Sequence, residues 1–117
     1  MSPVNQAIKV AKDAYERNDL DYARKICLDI IRGDPDQNEA NHLLGLVLTK
    51  MGQTLGALVF LQKAVKGKNP DPNYWLNYIH VLISNNLINS AQLALKGLPR
   101  NKISDQIHEK LIATISR

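Results

Sequence analysis

The chain has 117 residues, 44% of them hydrophobic and 22% charged, with a formal net charge of +4. That is the balance of one ordinary folded domain or a short array of repeats, and it excludes a disordered tail. No stretch is apolar enough to span a bilayer, and Met1-Ser2-Pro3-Val4-Asn5 lacks the basic and apolar regions of a signal peptide, so no membrane is expected. The lone Cys27 excludes an internal disulfide framework and fits a reducing, cytoplasmic compartment.

Ser2-Pro3 is a helix start signal, and Val4, Ala7, Ile8, Ala11, Ala14 and Tyr15 then form one apolar face. A second stripe follows through Leu20, Ala23, Ile26, Cys27, Ile30 and Ile31, closed by Gly33-Asp34-Pro35. Asp36 and Glu39 resemble a capping box ahead of the next helix, whose face is Ala40, Leu43, Leu44, Val47, Leu48 and Met51. Gly52 stops that helix, and Ala57, Leu58, Leu61, Ala64 and Val65 make the stripe after it. Asn69-Pro70-Asp71-Pro72 breaks the chain, with Asp71 the expected N-cap and Pro72 at the first helical position. Trp75, Tyr78, Ile79 and Leu82 define a fifth helix. Ile88, Ala91, Ala94, Leu95 and Leu98 define a sixth, stopped by Pro99. Ile103, Ile107, Leu111, Ile112 and Ile115 mark a last amphipathic helix. Period-two alternation is absent, so the expected class is all-α.

The chain aligns with itself at an offset of 34. Ala23, Ala57 and Ala91 fall in one column, and Asn18, Gly52 and Asn86 in another. Gly and Asn best tolerate the left-handed backbone that ends a helix and turns the chain sharply. A small residue five positions later marks a place where two helices approach closely. Two columns in phase over three copies point to stacked helix-turn-helix units, none of which buries its apolar face alone.

Leu44-Gly45, Leu48, Ala57, Leu61, Ala64 and Pro70 in the second copy resemble the tetratricopeptide repeat pattern W-x2-L-G-x2-Y, A-x3-F, P. So do Trp75, Tyr78, Leu82, Ala91 and Leu95 in the third, and Val10-Ala11, Ala23, Cys27 and Pro35 in the first. The resemblance implies a single domain over residues 1–117. Its repeats lie at about 4–37, 38–71 and 72–105, with a capping helix at about 103–116, coiled as a right-handed α-α superhelix. Ile79 stands where the pattern has a small residue, so the third hairpin should pack more widely. Pro99 comes early, so the last repeat should be shortened.

In that family the first helix of each pair lines a concave groove that receives peptides. By position, the resemblance implies a groove presenting Asn5, Ile8, Lys12 and Tyr15, then Glu39, His42, Leu46 and Thr49, then Asn73, Leu76, Asn77, His80 and Ile83. The residues expected to touch a ligand are Lys12, Tyr15, His42, Leu46, Thr49, Leu76, Asn77 and His80. Periodicity alone leaves open whether Leu46, Leu76 and Ile83 line the groove or pack on neighbouring helices. Trp75 and Tyr78, at the family's core positions, are read as packing. Family members that grip acidic chaperone tails use a cluster of cations. Here the corresponding positions are Ile8, Lys12, Leu43, Asn73 and Asn77, so such tails should not bind.

Catalytic, cofactor and metal sites are not expected. His42, His80 and His108 lie far apart in sequence, with no H-x3-H or paired cysteines. His42 and His80 facing one groove is the only arrangement that suggests a metal or a pH-sensitive contact. Cys27, between Ile26 and Ile30-Ile31, reads as a buried inert thiol. The six glycines are scattered rather than gathered in a phosphate loop. Residues 1–40 carry six basic and eight acidic side chains, whereas residues 41–102 carry seven basic ones and a single acid, Asp71. Without interleaved aromatic residues, this basic stretch reads as solvated helix ends and loops, and no nucleic-acid partner is expected. The expected role is a non-catalytic protein-protein interaction scaffold holding a peptide or partner surface. The alternative is the regulatory or substrate-presenting arm of a larger bacterial transferase, glycosyltransferase-like. The open ends of such a stack also invite self-association.

Overall fold

The computed structural model describes residues 2–68 and 70–116. Among these residues the chain is all-helical, with no strand. It divides into two compact units, Met1–Pro70 and Asp71–Arg117. The first unit holds α1 (Pro3–Glu16), α2 (Leu20–Gly33), α3 (Asn38–Lys50) and α4 (Thr54–Lys66). The second holds α5 (Pro72–Ser84), α6 (Ile88–Gly97), a 3-10 turn at Arg100–Lys102 and α7 (Asp105–Ile115). Asn69, which opens the expected Asn-Pro-Asp-Pro break, lies outside the described residues.

The hairpin turns share one construction. Asn18, Gly52 and Asn86 all have positive φ, at 65°, 79° and 61°. Their N–H groups donate to the carbonyls of Tyr15, Thr49 and Ile83, three residues back. The next N–H groups, of Asp19, Gln53 and Leu87, reach back five residues to Ala14, Leu48 and Leu82 at 2.8, 2.9 and 2.9 Å. This pair of bonds is the Schellman motif, which satisfies carbonyls that a helix end leaves open. The second helix then begins at once: Ala23, Ala57 and Ala91 donate to Asp19, Gln53 and Leu87. These three alanines are fully buried, as the column predicts.

The helix starts follow the sequence in two of three anticipated cases. Ser2 Oγ accepts from Asn5 N at 3.1 Å with Pro3 in the first turn, and Asp71 Oδ1 accepts from Asn73 N at 2.9 Å ahead of Pro72. The α3 start departs from expectation. Its N-cap is Gln37, whose Oε1 accepts from Ala40 N at 2.9 Å, and not Asp36. A local turn moves the boundary: Asp34 Oδ1 accepts from Asp36 N, and Asp34 O accepts from Gln37 N. Pro35 therefore leads into a turn that is still closing at Asp36. Buried Asn41 secures it, donating from Nδ2 to the carbonyls of Pro35 and Gln37 at 3.0 and 2.9 Å.

In the first unit α2 packs on both α1 and α3, and α3 packs on α4. The core gathers Ala11, Ala14, Ala23, Cys27, Leu43, Leu44, Val47, Leu48 and Ala57. Gly45 explains how close α3 and α4 can lie: a Cβ there would stand 2.5 Å from Leu61 Cγ and 3.3 Å from the Ala57 carbonyl. Val4, expected on the inner face, is exposed. It lies in the first turn of α1, whose buried residues are Ile8, Ala11 and Ala14.

In the second unit α6 packs against α5 and α7. Ile79 is fully buried where Gly45 stands in the earlier hairpin. Trp75 packs toward α6, where a Cβ on Gly97 would come within 2.9 Å of its Cη2. α6 ends at Gly97, ahead of Pro99, and Ser104 Oγ caps α7 by accepting from Ile107 N at 3.2 Å.

Candidate peptide-binding surface

The eight side chains expected to meet a ligand fall on three helices. Lys12 and Tyr15 lie on α1; His42, Leu46 and Thr49 on α3; and Leu76, Asn77 and His80 on α5. The first five belong to the first unit and the last three to the second.

In the first unit α1 and α3 run close together, and their polar groups engage one another. The Lys12 ammonium pairs with the Glu39 carboxylate across the two helices. The Lys50 ammonium sits 4.1 Å from the centroid of the Tyr15 ring, a cation-π contact. Thr49 Oγ1 donates to the Gly45 carbonyl at 2.8 Å, so its hydroxyl proton serves its own helix. His42, Leu46, Thr49 and Tyr15 are half-buried, and Lys12 is exposed. This leaves a surface in which a neutralised ion pair borders a partly apolar strip. Ile8, expected on the same surface, is only 3% exposed and belongs to the interior.

On α5, His80 and Asn73 are exposed, whereas Leu76, Asn77 and Ile83 are half-buried. Asn77 and His42 each have an interaction partner. Ser84 Oγ donates to the His80 carbonyl at 2.8 Å at the end of the helix.

Sequence reasoning placed Glu39 and Lys12 on one face without pairing them, and it missed Lys50. The repeat offset places Thr49, not Lys50, opposite Tyr15, so periodicity gave no signal for the Tyr15–Lys50 contact. A second feature it missed is a cleft of about 760 Å³ beside the α2–α3 turn, lined by Asp34, Asp36, Asn38, Asn41, Lys63 and Lys66 among others. Asn38 Nδ2 donates to the Lys68 carbonyl at 3.1 Å, tying the start of α3 to the segment after α4.

Among the described residues, no group of three or more His, Cys, Asp or Glu side chains gathers where a metal ion could be held. Cys27 is fully buried on α2, and the loss of solvation pushes its thiol pKa up to about 12. It is neither exposed nor ionised as a nucleophile must be. Of the basic side chains after residue 60, Lys63, Lys66 and Lys96 are exposed in the last turns of α4 and α6, where they complement the helix dipole. Arg100 pairs with Asp105 at 2.9 Å. No described helix is long and apolar enough to cross a membrane.

No family model and no curated protein sequence matches the chain. Solved structures do. The Yersinia enterocolitica type III secretion chaperone SycD, determined in complex with a peptide of the translocator YopD, superposes with a TM-score of 0.78 at 15% identity. That match covers 96% of this chain and 88% of that one. A mutant of the O-GlcNAc transferase of Thermobaculum terrenum superposes with a TM-score of 0.68 at 25% identity over 82% of this chain. This chain spans 19% of the transferase. Together with the helix pairs and their shared turns, these likenesses show a tetratricopeptide-like helical repeat fold.

Proposed function

We propose that this chain is a non-catalytic interaction domain of three tetratricopeptide-like repeats and a closing helix. Its ligand is a peptide or a segment of a protein partner, held along the first helices of the repeats. The contact residues in this reading are Lys12, Tyr15, His42, Leu46, Thr49, Leu76, Asn77 and His80. The observation that carries it is the surface along α1 and α3. There Tyr15, His42 and Leu46 stay half-exposed although the helices beneath them are tightly packed. A partly apolar strip beside satisfied polar groups suits a peptide with a few apolar anchors. The likeness to a chaperone solved with a bound peptide supports the same reading.

The test is affinity capture with the full chain and with a variant changed at His42, Leu46, Asn77 and His80 to Ala. A partner retained by the first and lost by the second, with helical content unchanged, is the expected result. A partner retained equally by both overturns the assignment of this surface.

A second reading is favoured by the likeness to the O-GlcNAc transferase, of which this chain would correspond to a small part. In that reading the domain presents polypeptide substrates to a transferase. It predicts that the captured proteins are modified by the transferase and that the groove variant slows their modification without touching the chemistry.

A further inference from the structure

The 34-residue register pairs Asn41 of α3 with Trp75 of α5, and Lys63 of α4 with Gly97 of α6. In the third hairpin these two positions meet. The Trp75 indole lies so near Gly97 that a Cβ there would stand 2.9 Å from its Cη2. In the second hairpin the same columns carry a short amide and a lysine. Asn41 turns its Nδ2 to the carbonyls of Pro35 and Gln37, so its donor group serves the α2–α3 turn. The cleft of about 760 Å³ opens there, and Asn41 and Lys63 both line it. It stands where an indole joins the two helices one repeat later.

Two features give this cleft a chemistry. Asn41 is 1% exposed, and its Oδ1 has no hydrogen-bond partner among the described residues. The two bonds from Nδ2 fix the orientation of the amide, so the orphaned atom is an acceptor. A buried acceptor without a donor is costly to the fold, and a ligand N–H removes that cost. Lys63, Lys66 and Lys68 also line the cleft; all are exposed, and none forms an ion pair with a described residue. Asp34 and Asp36 lie on the side of the α2–α3 turn, where Asp34 Oδ1 already accepts from Asp36 N. The cleft is thus acidic at the turn and basic along α4, and an anionic group belongs at the α4 side.

We propose that this cleft binds a small aromatic acid of the indole type, whose ring N–H donates to Asn41 Oδ1 while its carboxylate pairs with Lys63 and Lys66. The ring takes the place that Trp75 fills in the third hairpin. The volume is that of a small-ligand pocket, and the polar lining is unlike the apolar groove that seats a helix. A second copy of this chain does not supply the ring, because Trp75 is its only tryptophan and is engaged in its own hairpin. The site lies between α3 and α4 of the first unit and stands apart from the peptide surface proposed above.

The probe is indoleacetate, titrated into the full chain and followed by calorimetry. Saturable binding with a dissociation constant below about 1 mM is expected. N-methylindoleacetate lacks the ring N–H and should bind about tenfold more weakly, because Asn41 Oδ1 then stays unpaired. Lys63→Ala should weaken the binding of indoleacetate several-fold. Asn41→Trp places the repeat's own indole in the space and should abolish binding, with the thermal midpoint showing that the variant folds. The comparison of the two probes uses the unchanged chain and decides even if that variant does not fold. Absence of saturable binding, equal affinity for the two probes, or binding that survives in folded Asn41→Trp overturns the proposal. So does tighter binding of N-acetyltryptophanamide, which carries the indole without a carboxylate, since the cleft would then serve a tryptophan side chain of a protein partner.

Discussion

Leu61 is fully buried because Gly45 has no side chain to stand in its way, and Ala57 completes the same crossing. Interiors packed this closely respond to single methylenes. Ala57→Leu forces a larger side chain between α3 and α4 and is expected to cost about 1–3 kcal/mol. Chemical denaturation reads this as a lower midpoint with an unchanged slope. Cys27 sets a different kind of test. Its thiol is pushed up to about 12 in the folded chain, from 9.0 in the absence of burial. Below pH 9 both folded and unfolded chains hold the proton, and Cys27 adds no pH dependence. Above pH 9 the unfolded chain releases it while the folded chain keeps it, so the unfolded state gains. The Cys27 contribution therefore lowers stability by about 1.4 kcal/mol per pH unit until the folded thiol itself ionises. Melts of the chain and of Cys27→Ala at stepped alkaline pH should diverge in slope, the alanine variant declining less. Parallel slopes would mean that the thiol is solvated.

The three hairpin turns show how little side-chain chemistry a repeat needs. None of the second helices has a side-chain cap at its start. The left-handed residue and the two backbone bonds behind it turn the chain by themselves. Gly52→Val puts a β-branched side chain at a φ of 79°, and the left-handed region costs such residues about 1–2 kcal/mol or more. Asn18→Gly, at the same point of the first turn, should change stability far less, since both residues accept that conformation. Urea midpoints of the two variants compare them directly; equal losses would show that tolerance of the left-handed backbone is not what Gly52 supplies. These turns were legible in sequence because Gly and Asn at fixed spacing have one backbone use in common. The α3 start was less legible. Asp36 has the right chemistry for a cap, but Asp34 closes a turn over it, and that bond depends on a conformation rather than a residue type. Ile8 was misplaced for a related reason: its helical phase fits both the groove face and the inner face, and only the neighbouring helix decides.

Charge and core are distributed differently along the molecule. Residues 1–40 carry a net −2 and residues 41–102 a net +6, so the sign of the surface changes while the helical pattern does not. The surface of α1 and α3 inherits this only in part, since Lys12 is neutralised by Glu39 and Lys50 lies over Tyr15. That Lys12, Tyr15 and Glu39 lie on first helices was readable from repeat phase, whereas their pairing was not, because ion pairs between helices depend on rotamers that no periodicity encodes. The core is more self-contained. Every buried member of the first unit's main cluster lies between Ala11 and Ala57, on α1 to α4. In a repeat array each hairpin is stabilised by its neighbours, and two hairpins that already share one cluster meet that requirement between themselves. A chain of residues 1–70 is therefore expected to keep its helical circular dichroism and to melt in a single sigmoidal transition, at a lower midpoint than the full chain. A sloping, non-cooperative loss of ellipticity would instead place part of the folding nucleus beyond Pro70. Leu44→Ala in the short chain adds a check on which cluster is responsible. Leu44 is almost wholly buried, and its truncation costs about 2–5 kcal/mol, enough to abolish the transition of a two-hairpin unit.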